Sequence, residues 1–177
     1  MFSKLFKKRP AKLRAETLYA ATVQAARQPQ LYGEAGVPDT LQGRFEMILL
    51  HATLLIHELR NGEDSQGNEL AQEVFDVMFD DFDAGMRELG LGDSAVGKKI
   101  RFMAEDFYGR ASAYVDSIAG KGEESLTAIL ARNVLECEPG DVRAEQLAAY
   151  VTRTASALAG QGQAELVGGA EPAFQPA

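Results

Sequence analysis

The residues best suited to chemistry in this sequence are five carboxylates in a short segment near the middle of the chain. Successive spacings of four and three residues separate these acids, which are Glu69, Glu73, Asp76, Asp80 and Asp83. On a helix this spacing places them side by side, and we call them the acidic stripe. Helical enzymes that transfer isoprenoid groups hold Mg²⁺ between two facing aspartate-rich helices. The other predicted helices offer no second such segment, so we expect a solvated face, no metal site and no cofactor.

The two histidines and the single cysteine form no recognisable catalytic arrangement. His51 and His57 are six residues apart, so they point to different sides of a helix and cannot ligate one ion together. Each could bind haem alone, but a histidine in an apolar helix is more often a hydrogen-bonded core residue. Cys137 has no histidine in a nucleophile motif, and the sequence has no glycine-rich strand-loop-helix for phosphate. We therefore expect a protein that is not an enzyme and has no small-molecule substrate.

A basic group follows the acidic stripe along the chain. Lys98, Lys99 and Arg101 fall in the first turns of the next predicted helix, and the tetrad FYGR ends at Arg110. These cations could bind an acidic partner, ribosomal RNA or lipid head groups, or they could pair with the acidic stripe. Gly109 lies in mid-helix, where glycine costs about 1 kcal/mol relative to alanine. That cost suggests a close approach of another backbone, a bend, or a tolerated exposed position.

Two amphipathic helices joined by a glycine-containing corner position these groups, in the stretch from Leu70 to Ile118. Their apolar residues recur mainly at spacings of three and four, the period of a helix with one buried face. In the first helix these residues are Val74, Phe75, Met78, Phe79, Phe82, Met86 and Leu89. In the second they are Val96, Ile100, Met103, Phe107, Ala111, Tyr114 and Ile118. Gly90 and Gly92 can take the backbone conformation that ends a helix.

The remaining segments predict an all-α protein. A helix after an N-cap at Asp39 is apolar almost all round and should be the central buried helix, although its apolar run is shorter than the ~20 residues of a membrane span. No segment alternates as a strand does. We expect a single compact helical domain of about six helices over 15–159, preceded by a basic amphipathic segment over 1–14. The composition from residue 160 to 177 predicts a disordered tail.

Composition limits the classes of partner. The chain has 177 residues, a net charge of −8 and one cysteine, which fit one domain in a reducing compartment. Because six basic residues precede the first acid, Glu16, the rest is more acidic than the whole, and we expect no DNA binding. The amino-terminal segment combines cations with apolar residues in a pattern typical of membrane-surface contact. The residues expected to contact a membrane surface are Phe2, Lys4, Leu5, Phe6, Lys7, Lys8 and Arg9.

Three blocks of this sequence resemble the ubiquinol-cytochrome c chaperone family, whose members are assembly factors for ubiquinol-cytochrome c reductase. The blocks are ARQPQLYGEAGVPDTLQGRFEMILLH at 26–51, FDVMFDDFDAGMRELGLGDSAVGKKI at 75–100 and FYGRASAY at 107–114. The resemblance covers roughly Leu18 to Ile118. Gly85 departs from the pattern, because a larger apolar residue is expected there. The amino-terminal segment is short for a mitochondrial import signal, which points to a bacterial member.

The resemblance implies a non-enzymatic chaperone for newly made cytochrome b, with contact to the ribosome and to a small partner protein among the family's properties. With the amino-terminal pattern, it predicts a cytoplasmic protein that is peripheral at the inner face of the inner membrane. Two alternatives stay open: a helical enzyme acting on isoprenoid or quinone substrates through the acidic stripe, and a general helical adaptor. The exposed family-like residues that we expect to bind a partner are Asp80, Asp83, Arg87, Glu88, Lys98, Lys99, Arg101, Tyr108 and Arg110.

Overall fold

The computed structural model describes residues 10–177, and six α-helices dominate that range. They are α1 (Pro10–Ala26), α2 (Leu41–Arg60), α3 (Ser65–Glu88), α4 (Asp93–Ile118), α5 (Leu126–Leu130) and α6 (Val142–Gly168). A 3-10 turn (Pro29–Leu31) follows α1, and a π-helical turn (Ala131–Leu135) follows α5. No strand is present in the described range, so the all-α prediction is confirmed. None of the helices in this range is long and apolar enough to cross a membrane.

Helix α2 is the centre of the fold, as its all-round apolar sequence predicts. Met47, Leu50, Leu55 and Leu59 are fully buried, and the helix packs against α1, α3, α4 and α6. Burial on every side explains why the sequence lacks a polar stripe here. The helix is therefore the element against which the others are positioned.

The start of α2 differs from the expected N-cap. Thr40, and not Asp39, is the N-cap, and its hydroxyl accepts a hydrogen bond of 3.0 Å from the backbone N–H of Gly43. The Asp39 carboxylate instead accepts a hydrogen bond of 2.6 Å from Arg44. Both residues are good N-cap types, so the sequence alone could not decide between them.

Helices α3 and α4 form the predicted hairpin, but they are buried to different extents. Helix α3 lies between α1, α2 and α4, whereas α4 lies at the edge of the molecule. Only Val96, Phe107 and Tyr114 of the 26 residues in α4 are buried. Gly90 has φ +85° and allows the chain to turn between the two helices. One side of α4 is consequently open to a partner.

Gly109 needs neither a close contact nor a bend. An added Cβ would meet nothing within 4 Å, and α4 continues without interruption through this position. Gly109 is exposed. Of the three explanations considered for a glycine in mid-helix, the correct one is therefore that it is tolerated at an exposed position.

The end of the chain corrects the expectation of a disordered tail from residue 160. Helix α6 is kinked at Gly162, which has φ +77°, and then continues to Gly168. Leu166 is fully buried, and Phe174 packs against the ring of His51 at 5.5 Å between centroids. The Arg14 side chain in α1 donates a hydrogen bond of 2.9 Å to the carbonyl of Leu166. Side-chain amides and scattered apolar residues hold this segment, although its composition resembles that of a flexible tail.

Gln163 fastens the α2–α3 loop to α6. Its amide nitrogen donates to the carbonyl of Leu59 at 2.6 Å and to that of Asp64 at 3.2 Å, and its amide oxygen accepts from the N–H of Asp64 at 3.1 Å. Gly62 and Gly67 lie against this side chain, because a Cβ on either would fall about 2 Å from its amide atoms. The contact satisfies backbone groups that have no partner in a helix.

We expect Gln163→Ala to lower the free energy of unfolding by about 2–3 kcal/mol, because it leaves buried backbone groups unpaired. Gly62→Ala should also destabilise the protein, since its Cβ would lie 1.9 Å from the amide oxygen of Gln163. In the Gln163→Ala background, Gly62→Ala should cost much less. A double-mutant cycle by urea unfolding measures this coupling.

Gly109→Ala is the control and should stabilise by up to about 1 kcal/mol. Additive costs for Gly62→Ala and Gln163→Ala would contradict the contact.

Candidate partner-binding surface

Part of the acidic stripe on α3, as defined above, is occupied by local contacts. Asp83 accepts a hydrogen bond of 2.7 Å from Arg87, which also binds Asp93 at the start of α4. Lys12 in α1 lies 4.0 Å from Asp80. Within residues 10–177, no group of three or more His, Cys, Asp or Glu side chains is arranged to hold a metal ion. The contacts of Arg87 with Asp83 and Asp93 link the end of α3 to the start of α4.

The basic turns of α4 do not pair with the acidic stripe in the described part of the chain. Lys98, Lys99 and Arg101 are exposed, and none of them forms an ion pair or hydrogen bond with residues 10–177. Phe102, the next residue after Arg101, is 69% exposed. Glu88, at the end of α3, is also exposed. The unpaired cations and the exposed ring make this part of α4 available for contact.

Tyr108 borders a groove between α2 and α4. Its ring is 49% exposed and stacks on Phe75 with 5.5 Å between centroids. The groove has a volume of about 230 Å³. Half of the residues that line it are apolar or aromatic and half are polar or charged, and they are Thr53, Ile56, His57, Arg60, Phe107, Tyr108, Ala111, Ser112, Val115 and Asp116. The apolar part of this surface can contact an apolar segment of another molecule, and the polar part can contact its polar groups.

Arg110 is occupied by intramolecular ion pairs. It donates to the carboxylate of Glu46 in α2, and it lies 2.6 Å from Asp106 one turn earlier in α4. The Glu46 residue is only 2% exposed and also accepts a hydrogen bond of 2.6 Å from Gln42. Burial raises the pKa of Glu46, and the contact with Arg110 opposes that rise. The structure thus places Arg110 between two helices, as a residue that joins α4 to α2.

His51 is a hydrogen-bonded core residue. It is fully buried, and its Nδ1 lies 2.7 Å from the carbonyl of Met47 while its Nε2 lies 2.7 Å from the hydroxyl of Tyr150. A carbonyl only accepts, so Nδ1 carries the proton and Nε2 accepts from Tyr150. Burial lowers the pKa of His51 to about 4. His57, by contrast, is exposed and lies at the edge of the α2–α4 groove.

Sequence reasoning missed the partners of Tyr108 in this groove. His57, Arg60 and Asp116 line it from segments about fifty residues apart. The outward direction of His57 could have been found from its spacing of six residues from the buried His51. Its proximity to α4 depends on how the two helices pack and has no local signal. The seven predicted membrane-contact residues, Phe2 to Arg9, lie outside the described residues.

Comparison with known proteins identifies the family. The family model for ubiquinol-cytochrome C chaperone matches residues 33–173. Ubiquinol-cytochrome-c reductase complex assembly factor 1 of Xenopus laevis is 24% identical over 143 residues, which are 80% of this chain and 70% of that protein. The crystal structure of the Cbp3 homolog from Brucella abortus is 36% identical, with a TM-score of 0.80 over 99% of this chain and 97% of the other. The chain belongs to the ubiquinol-cytochrome c chaperone family.

Proposed function

We propose that this protein is a non-enzymatic assembly chaperone that binds newly made cytochrome b and supports assembly of ubiquinol-cytochrome c reductase. The family match over residues 33–173 supports a role in assembly of that complex. The named relative from Xenopus laevis is an assembly factor for the same complex. We also propose that the protein acts in the cytoplasm, peripheral at the inner face of the inner membrane, where a membrane-protein client is made.

The α2–α4 groove is the proposed contact for the client, and it is the observation that carries this part of the proposal. The buried Ile56 and Phe107 and the half-buried Val115 form the apolar part of the groove, and Tyr108 extends this surface outwards. The helices of a membrane-spanning protein are apolar around their circumference, so a newly made one needs such a surface before its own partners arrive. The groove also contains the start of the family-like block at 107–114.

The predicted partner residues differ in how available they are. Of the nine, Asp83 and Arg110 are partly buried, and both form intramolecular ion pairs. Tyr108 alone lines the groove. We therefore expect Tyr108 to contact the client directly. The exposed charged residues lie along the α3–α4 hairpin outside the groove, and they are Asp80, Arg87, Glu88, Lys98, Lys99 and Arg101.

A photo-crosslinking residue at Tyr108 should form an adduct with cytochrome b in cells that are synthesising the complex. The matched control is the same crosslinker at Ser156, which is exposed on α6. We expect the adduct from position 108 only, identified by mass spectrometry after denaturing purification. Deleting the gene should also lower the level of assembled complex and of haem b.

Two results would contradict the proposal. Equal adducts from both positions would show that the contact does not use the groove. Adducts at position 108 with unrelated proteins only, together with normal levels of the complex after gene deletion, would favour a general helical adaptor.

A further inference from the structure

The first turns of α4 form an exposed patch of cations around an aromatic ring. Lys98 and Lys99 precede Phe102 by four and three residues, so their side chains flank the ring on the helix surface. Arg101 lies next to it, and all three cations lack partners among residues 10–177. Phe102 is 69% exposed, although phenylalanine is normally buried. We call these four residues the α4 patch.

The α4 patch lies at the same end of the molecule as the start of α1. Lys12, two residues after Pro10, lies 4.0 Å from Asp80 in the second half of α3. From Asp80, α3 runs only about 12 Å further, at about 1.5 Å per residue, before it reaches the corner that leads into α4. The sequence before Pro10 carries Lys4, Lys7, Lys8 and Arg9 and is joined to α1 at this end. The α4 patch and the start of α1 therefore lie at one end of a chain with net charge −8.

The composition of this end favours a membrane surface over a nucleic acid. An anionic bilayer attracts clustered Lys and Arg residues, and an aromatic ring between them can enter the interface. The net charge of −8 disfavours a nucleic acid, which must be followed over many phosphates, more than a flat surface that only this patch contacts. The nearby acids reduce the charge of the patch without cancelling it: Asp93 is bound to Arg87 and Asp106 to Arg110, and the exposed Glu105, four residues after Arg101, offsets one of three positive charges.

We infer that the α4 patch docks the protein on a bilayer that contains anionic phospholipid. Lys98, Lys99 and Arg101 bind the head groups, and Phe102 inserts between them. This contact would hold the neighbouring α2–α4 groove beside the membrane. It involves no client, so it can be tested separately from the proposed binding of cytochrome b.

Flotation of the purified full-length chain with lipid vesicles tests the inference. We expect binding to vesicles of phosphatidylcholine mixed with phosphatidylglycerol, little binding to phosphatidylcholine alone, and a decrease at high salt. Each basic residue contributes about fivefold to partitioning, so K98E/K99E should weaken binding at least about thirtyfold. Phe102→Ser should weaken it about tenfold.

The matched control is K121E/R153E, which makes the same change in net charge. Lys121 follows the other end of α4 and Arg153 lies on α6, and both are exposed. This control should keep at least about one third of wild-type binding, because only long-range repulsion changes. Circular dichroism checks that each variant is folded; all substituted residues are exposed, so we expect unchanged helicity.

Three outcomes would overturn the inference. K98E/K99E could bind as well as the wild type while deletion of residues 1–9 abolishes binding, which would place the contact on that segment alone. K121E/R153E could lose as much binding as K98E/K99E, which would reduce the effect to net charge. The wild type could bind single-stranded RNA and no vesicles, which would make the partner a nucleic acid.

Discussion

Arg110→Met is expected to lower the free energy of unfolding by about 3–5 kcal/mol, because it leaves the buried carboxylate of Glu46 without its cation. Glu46 is 2% exposed, and Gln42 is its other hydrogen-bond donor. One neutral amide cannot replace an ionic partner at a buried carboxylate. Chemical denaturation at neutral pH measures the loss. Arg132→Met is the matched control: its pair with Glu124 is exposed, so its removal should cost at most about 1 kcal/mol.

The pH dependence of this variant separates a buried charge from lost packing. Burial raises the pKa of Glu46 in the folded protein, and loss of Arg110 should raise it further. The folded state then binds a proton that the unfolded state has released, so the deficit of Arg110→Met should shrink as the pH falls through the folded pKa of Glu46. Glu46→Leu combined with Arg110→Met should recover most of the stability. A deficit that is constant with pH would contradict the role of the buried charge.

Acidification from pH 6.5 to pH 4 should remove about 3 kcal/mol of stability through His51 alone. The pKa of His51 is lowered to about 4 by burial, whereas an unfolded histidine titrates near its ordinary value of 6.5. Between these values the unfolded state binds a proton that the folded state does not. The contribution of His51 is therefore fully present above pH 6.5 and is lost as the pH falls towards 4.

Comparison of His51→Gln with the wild type isolates this effect from the titration of carboxylates. Across the same pH range, the free energy of unfolding of His51→Gln should fall less steeply with decreasing pH than that of the wild type. The difference in slope should correspond to one fewer proton taken up on unfolding. His57→Gln is the control, because His57 is exposed on the same helix. Equal slopes for His51→Gln and the wild type would show that His51 does not remain neutral in the core.

The main elements of the fold were predictable because their signals are local. Apolar periodicity identified the α3–α4 hairpin, and the all-round apolar run identified the central helix α2. The family resemblance, based on three blocks in order, is confirmed by the family model and by the related crystal structure. These features can be seen within windows of ten to thirty residues.

The groove and the end of the chain were not predictable, because they depend on contacts between distant residues. His57 and Tyr108 border the groove from helices separated by a full helix, and no local pattern records their proximity. Gln163 resembles a residue of a flexible tail until its amide is seen to bind the backbone of the α2–α3 loop. Exposed charges on α4 show where a partner could bind, but their spacing does not distinguish a protein client from a lipid.

Hydrogen bonds join the region of α1 to the end of the chain, and they affect the order of folding. Arg14 binds Leu166, and Gln28 binds the carbonyl of Gln175 at 3.1 Å, across about 150 residues of chain. Closing so long a loop has a large entropic cost, and contacts of this separation slow folding. Since α6 is synthesised after every other described helix, these contacts cannot form until it has left the ribosome. We expect α1 to α4 to associate first and the α1–α6 contacts to form in a late, slower kinetic phase.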